Sequence, residues 1–567
     1  MNTPAPQRYT ATGTAWRALV DATRVDLGRL WWRNALLVVL PVLVVLALTT
    51  ALKNPTDSFV LGLDGLLVGI SWFSGNAPDQ APLATMAADA LILAPMTALG
   101  AWAGGISGVH ISLLVVVAFA AGLGSAVGRR GVIVGTHAVI GFVILGDFPE
   151  PPGRALTLGA LALAAGVVQV ACVALVTARS GPARPDHSTP LHGASPAHGG
   201  LWHRLWAEWR SDLARLRDGA RLDAPAGRHA VRLAMVVVSA DLIAQLLKLP
   251  VEAWAIYAAA TVLQPGFGST FRRGAERILG TLLGAVLATL ITALWTPSGW
   301  DAVAVGALLL YLTFALFPAG FTLGVSTMTA AIVFLLHGVA PDTAKLALDR
   351  GLDVTLGGII GLAGFALWPT WSGEALPGLL AALIKAEGSY LSTMLTALQE
   401  GRPAERVRML HQARRAHHAW SDAHALLQSA RSEPLRMTSP EQAAALLAVL
   451  ERVVQGVRLV HRELEMSGSG GVQGGDSNGA QDGFDHLRIE LGVAFTVLER
   501  AVRAPQRDAW QLPPLRESLL KVQWTSERGI PLHAALTELI AALEDLALMI
   551  PHQLKTGTGN GRSRART

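Results

Sequence analysis

Cysteine is nearly absent: Cys172 is the only one among 567 residues. That excludes an intramolecular disulfide and any cysteine-based zinc or iron–sulfur site. Charge is scarce as well. Asp, Glu, Lys and Arg make up 15% of the chain and apolar residues 51%, where a soluble domain carries roughly 25% charged residues. Mean hydropathy is +0.41. An ordinary cytosolic enzyme does not have this composition, and global disorder needs the opposite one. Familiar reaction motifs are missing too. There is no Gly-x-x-x-x-Gly-Lys-Ser/Thr loop for ATP, no Gly-x-Ser-x-Gly elbow and no His-Glu-x-x-His. Gly266-Phe267-Gly268 lacks the third glycine and the preceding strand of a dinucleotide site. The expectation is a protein that is not an enzyme, with no catalytic residues, no cofactor, no metal and no nucleic-acid partner.

What is present is a series of uncharged apolar runs. A bilayer core needs about 20 apolar residues as helix. Ala35–Leu52 meets this, bracketed by Arg33 and Lys53, and reads as an uncleaved first helix. Phe59–Phe73 is short and contains Asp64. Ala90–Gly128 fits two spans with a turn at Gly104-Gly105; Gly131–Gly146 and Ala155–Ala178 follow. A second series contains Val231–Leu247, Ala253–Gln264, Ile278–Trp300, two spans in Ala302–Pro341 turning at Pro318–Gly320, and Val354–Gly373. The expected fold class is therefore all-α: about twelve transmembrane helices in two parallel six-helix repeats, with a C-terminal cytoplasmic helical bundle.

The domain reading is a cytoplasmic segment 1–33, a first membrane block 34–179, a linker 180–227, a second block 228–373, a helical domain 374–554 and a disordered basic tail 555–567. The linker is Pro-, His- and Gly-rich before an amphipathic helix with Trp202, Trp206 and Trp209. In the C-terminal domain, Val407–Ala430, Leu446–Leu464 and Leu532–Ile550 carry apolar residues every three or four positions. Gly-rich 467–483 is expected to be a flexible break. Arg8, Arg17, Arg24, Arg29, Arg33, Arg129, Arg130, Arg179, Arg184, Arg272, Arg273 and Arg277 fall on one side of this topology. The positive-inside rule makes that side the cytoplasm and places both termini there.

Several polar residues stand out in this apolar setting. Asp241 lies inside an apolar span, so it must face a cavity or a partner. It reads either as a proton-coupling or gating acid or as a lock between two helices. Arg272, Arg273 and Arg277 follow Gln264-Pro265-Gly266 in what reads as a loop before the next helix. Guanidinium groups at a helix N-terminus suit a carboxylate, while positive-inside anchoring accounts for them equally well. Arg350 and Asp353 are three apart and share a helix face, as a gate or as a structural pair. His137 is a buried histidine open to test. Gly100/Gly104/Gly108, Gly280/Gly284 and Gly357/Gly361 have the spacing of close helix packing.

The second block also carries Arg232, Trp254-Ala255, Thr261, Gln264-Pro265, Gly268-Ser269-Thr270, Arg273, Arg277-Ile278, Gly280-Thr281 and Gly284-Ala285. Arg350, Asp353, Gly357-Gly358, Trp368-Pro369, Arg414-Arg415 and Glu433-Pro434 follow. This pattern resembles the fusaric acid resistance/aromatic acid exporter family over roughly Arg228–Pro434. The first block resembles it in layout only, and its loop Ser74–Thr85 has no arginine. The resemblance implies a multi-pass protein of the bacterial inner (plasma) membrane that exports aromatic carboxylic or related organic acids. With no nucleotide loop, proton motive force is the implied drive. Arg272, Arg273, Arg277, Gln264 and Trp254 would meet the substrate, and Asp241, Asp353 and Arg350 would couple or gate. The implied partners are a small organic anion, the bilayer and a periplasmic adaptor; self-association into a homo-oligomer stays open. An anion channel, as in distant plant relatives, and a non-transporting membrane scaffold are the alternatives.

Overall fold

In lipid a backbone must satisfy its own hydrogen bonds, and helices do so locally. The computed structural model follows that rule: among the described residues there are helices and no strands. It describes most of residues 25–43, 55–72, 82–179, 210–249, 251–295, 300–335, 343–368, 372–400, 403–430, 440–467, 478–503, 511–522 and 529–558. Residues 1–24, the second half of the first expected span, the linker 180–200, Trp202, Trp206, Trp209 and residues 559–567 lie outside that set. The chain divides into two compact units, one within Ala15–Thr370 and one within Trp371–Thr567.

Among its described residues the first unit contains helical stretches within 32–43 and 210–219 and the following named helices. These are α1 (Pro55–Ser71), α2 (Pro82–Ala103), α3 (Ser107–Leu123), α4 (Arg129–Gly146), α5 (Pro152–Arg179) and α6 (Pro225–Leu247). They continue with α7 (Ala253–Val262), α8 (Phe267–Leu294), α9 (Trp300–Leu316), α10 (Phe321–Leu335) and α11 (Thr343–Leu367). Among the described residues, seven segments are long and apolar enough to cross a membrane: Leu83–Ala103, Ser107–Val127, Arg129–Gly146, Pro152–Leu175, Pro225–Leu247, Thr270–Leu294 and Leu348–Leu367. Four more apolar helices are shorter: Val60–Ser71, Ala253–Val262, Asp301–Leu316 and Phe321–Phe334. Their outer faces are large and greasy, with Leu246, Leu294 and Leu367 each at least 80% exposed. Their inner faces are small, as at Ala240, Ala244, Ala255, Ala258 and Ala259. A water-soluble protein reverses this arrangement.

Glycine sets the closest approaches. A methyl group built on Gly100 would overlap the Phe142 carbonyl, and one on Gly104 the Gly146 carbonyl, so α2 lies directly on α4. Gly280 and Gly284 bring α8 onto the Thr322 and Ser326 carbonyls of α10, and Gly357 brings α11 onto the Ala255 carbonyl of α7. The two halves pair their helices alike. In the first, α1 packs on α5, α2 on α4 and α5, and α3 on α4. In the second, α7 packs on α11, α8 on α10 and α11, and α9 on α10. The leading helices are exchanged: α6 packs on α3, while Ala35, Val38 and Val42 join one core with Leu309, Leu310 and Phe314 of α9.

Two boundaries in this unit differ from the sequence reading. Helix α8 begins at Phe267, not near Ile278, because Gly266 is extended and Thr270 N–H already bonds back to the Gly266 carbonyl at 3.1 Å. Helix α11 runs Thr343–Leu367, earlier than the expected 354–373, and has ended by Trp368, the residue before a proline in the sequence.

The second unit holds α12 (Ser372–Glu400), α13 (Pro403–Ala430), α14 (Pro440–Ser467), α15 (Asn478–Arg503), α16 (Leu515–Lys521) and α17 (Gly529–Thr558). Helix α12 packs on α13 and α15, and α14 packs on α17. The apolar stripes are the core: Leu450, Val457 and Val460 of α14 meet Leu536, Leu539 and Leu543 of α17, all buried. The expected break at 467–483 is narrower, since α14 reaches Ser467 and α15 starts at Asn478. The expected disordered tail is likewise helical as far as Thr558.

Two predictions follow from packing and burial. Gly357→Ile should destabilise by about 1–3 kcal/mol, because the Ala255 carbonyl cannot yield. Gly108→Ala, with nothing within 4 Å of the added methyl, should leave the melting temperature unchanged; thermal unfolding in detergent compares the two. Glu387 of α12 is 3% exposed, and burial raises its pKa from 4.5 to about 8, with Arg458 opposing. The fold therefore keeps a proton that the unfolded chain releases. Stability should fall between pH 4.5 and 8, by on the order of a few kcal/mol. In Glu387→Gln the unfolding midpoint should lose that slope.

Candidate functional site

The sequence between α7 and α8 is built to turn sharply and stay turned. Leu263 and Gly266 are extended around Gln264-Pro265. The Thr270 hydroxyl accepts the Gln264 N–H at 3.0 Å and lies 2.8 Å from the Gly266 carbonyl, to which it can donate. The Gln264 side-chain amide donates to Thr261 O at 3.1 Å. This lock starts α8 early, so Arg272, Arg273 and Arg277 belong to the helix and not to a loop before it. Arg273 and Arg277 are one turn apart and share a face.

Four arginines of the second block lie over aromatic rings. The guanidinium carbon of Arg350 (α11) is 3.8 Å from the centroid of Trp254 (α7), and that of Arg277 (α8) is 4.0 Å from Tyr257 (α7). Arg273 sits 3.8 Å over Phe321 and Arg232 sits 4.2 Å over Phe365. Trp254 and Tyr257 meet edge to face at 6.1 Å. A cation over a ring is worth roughly 0.5–2 kcal/mol, which does not replace the water lost by a buried guanidinium.

What separates these arginines is their hydrogen bonding. Arg232 donates to the Trp368 carbonyl at 2.7 Å and the Pro265 carbonyl at 3.4 Å, clasping α6 to the end of α11 and to the α7–α8 turn. Arg272 is 59% exposed and pairs with Glu276 at 3.5 Å; Arg273 reaches the same carboxylate at 3.8 Å. Arg350 is 2% exposed, and none of its three nitrogens has a hydrogen-bond partner. Arg277 is also 2% exposed, with an unpartnered Nε. A buried, unpaired guanidinium costs several kcal/mol. It is a planar fork of donors ready for a carboxylate.

The remaining expected site residues divide. Arg350, Arg277 and Trp254 come together; Asp353 is on the same helix. Arg350 and Asp353 are near enough for their charges to act on each other, but no hydrogen bond joins them: Asp353 Oδ2 is also without a partner, and Arg350 lies over Trp254. Gln264 and Arg272 serve the turn and the surface. Asp241 lies on the α6 side, 1% exposed, with Oδ1 accepting from Gln245 Nε2 at 3.1 Å and Oδ2 unpartnered. Near it, Asp147 caps α4 and accepts the Ala253 N–H at 3.3 Å. Burial raises the Asp147 pKa to about 6, the Ala253 bond offsets part, and the charges of Glu252 and Asp241 add to the rise. Tyr257 was not singled out in the sequence; its three-residue spacing from Trp254 on one short helix was the available signal. Among the described residues no group of His, Cys, Asp and Glu could hold a metal ion.

If Arg350 is retained at a cost to the fold, Arg350→Met should raise thermal stability by about 1–4 kcal/mol. Arg232→Met should lower it, because two carbonyls lose their donor. Melting curves of the two purified variants test this directly.

The fusaric acid resistance protein-like family model matches residues 237–364, which include Trp254, Tyr257, Arg277, Arg350 and Asp353. Over 226 residues the chain is 28% identical to the protein ORF2 of Neisseria gonorrhoeae, covering 39% of this chain and 53% of that one. It is 28% identical over 211 residues to the inner membrane protein YccS of Escherichia coli, covering 36% and 29%. The membrane protein YvaC of Bacillus subtilis matches at 29% over 187 residues, covering 32% and 29%. The chain thus spans about half the length of the first relative and under a third of the other two. The part of the chain that holds the buried arginine–aromatic cluster, residues 237–364, is thus similar to the fusaric acid resistance protein-like family.

Proposed function

We propose that this chain is a secondary efflux transporter of the inner membrane for aromatic carboxylic or related organic acids, driven by proton motive force. The observation that carries this reading is Arg350, buried over Trp254 with every nitrogen unbonded. A carboxylate satisfies that fork, Arg277 adds a second positive charge, and Trp254 and Tyr257 offer aromatic surface to the rest of the substrate. Asp353 and Asp241 are gating acids in this scheme: each has an unbonded oxygen that can compete for a cation when the substrate leaves. The protein is a carrier and not an enzyme, with both termini cytoplasmic and a periplasmic adaptor as a partner.

Two supports come from elsewhere in the molecule. The matching helix pairings of the halves suit two parallel repeats, and the spacing repeats as well: Gly100 and Gly104 on α2 stand 180 residues before Gly280 and Gly284 on α8. The relative YccS is by name an inner membrane protein. Proteoliposomes holding only this chain should take up labelled benzoate when a pH gradient is imposed. Arg350→Met should reduce that flux on the order of tenfold or more, and Asp241→Asn should weaken its dependence on the gradient. Flux that follows voltage alone would make the protein a channel, and no flux for any carboxylate would leave a scaffold.

A further inference from the structure

The first block has a polar cluster of its own, of the opposite character. Asp89 of α2 is fully buried and accepts the Ser71 hydroxyl of α1 at 2.5 Å through Oδ2. The same oxygen is 2.7 Å from Nδ1 of His137 on α4, itself 6% exposed. Asp64 of α1, also fully buried, accepts from the Thr97 hydroxyl of α2, at 3.3 and 3.4 Å from its two oxygens. Asp89 Oδ1 has no hydrogen-bond partner. The cluster belongs to α1, α2 and α4. In the second half the corresponding helices are α7, α8 and α10, where Tyr257 and Arg277 stand.

We infer that Asp89, with His137 and Asp64, is a proton-binding site that loads and unloads as the transporter works. A network kept only to fix helices would satisfy every buried atom. This one leaves a carboxylate oxygen unbonded at membrane depth, and it has two carboxyls for one imidazole. One imidazolium can balance one carboxylate, so the charge of the cluster in its low-dielectric surroundings depends on how many protons it holds. Among the described residues no arginine or lysine is bonded to either acid. The other ionisable groups on the packed helices are engaged or apart. Arg154 of α5 is paired with Asp57 of α1, and His110 of α3 stacks on Phe142 at 5.1 Å. Arg129 and Arg130 open α4 about two turns before His137, and Cys172 is half-buried on α5. Gln169 donates to the Val38 carbonyl. On this reading the first block has a proton site of its own, apart from the arginine–aromatic cluster of the second and its acids Asp241 and Asp353.

The link to transport rests on the efflux reading above, so the test has an arm that does not need it. In difference infrared spectra of the full-length protein in proteoliposomes, recorded without substrate, a carboxylic-acid band should titrate with pH. It should be lost in Asp89→Asn, and its midpoint should move in His137→Gln. In the second arm, Asp89→Asn should lose pH-driven benzoate uptake on the order of tenfold while exchange of labelled for unlabelled benzoate stays within about twofold. Retained exchange shows that the variant is folded; Asp89→Glu, which keeps a carboxyl, should recover part of the drive. A wild type that carries no benzoate removes the efflux reading and leaves the infrared arm to decide the cluster. Absence of a titrating band at Asp89, undiminished pH drive in Asp89→Asn, or drive by a sodium gradient at constant pH would each overturn the proposal.

Discussion

A guanidinium group inside a membrane protein with nothing to donate to is the constraint on which the rest turns. Arg350 is held against Trp254 because α11 lies close enough to α7 to place it there, and that closeness depends on Gly357 against the Ala255 carbonyl. The turn locked by Thr270 then sets where α8 begins, and with it the position of Arg277 over Tyr257. Small residues on the inner faces and a tight turn thus bring two cations and two rings to one place. The apolar surroundings raise the cost of leaving the charge unpaired, and in the function proposed above that cost is what gives a carboxylate its advantage.

The two blocks pair their helices in the same way, yet only the second buries arginines on aromatic rings, alongside the acids Asp241 and Asp353, among the described residues. Gly100 and Gly280 each bring a helix onto a neighbour's carbonyl in their own half, so the polar side chains of the two halves differ while this close packing is kept. Arg232 shows the other use of a buried arginine. It is spent on the Trp368 and Pro265 carbonyls, and it stiffens the frame around Arg350.

Much of this was legible as sequence, and the failures have physical causes. Apolar runs, the Gly104-Gly105 and Pro318–Gly320 turns and the stripes Leu446–Leu464 and Leu532–Ile550 are local signals, and the structure carries them. The start of α8 was misplaced because Gln264-Pro265-Gly266-Phe267-Gly268-Ser269 has loop composition; a side-chain lock at Thr270 ends the loop after Gly266. Spacing placed Arg350 and Asp353 on one helix face, but an i,i+3 pattern cannot register a tryptophan 96 positions away (Trp254 to Arg350) that lies under the cation. Asp89 and His137 are 48 apart in the chain, so only the packing of α2 on α4 reveals that they meet.

The most direct measurement is a structure of the full-length protein with an iodinated benzoate, the iodine located by anomalous scattering. The account predicts the carboxylate at charge-assisted hydrogen-bond distance, about 2.7–2.9 Å, from the Arg350 guanidinium, with the ring against Trp254 or Tyr257. Iodine bound away from α7 and α11, with Arg350 unchanged over Trp254, would contradict it.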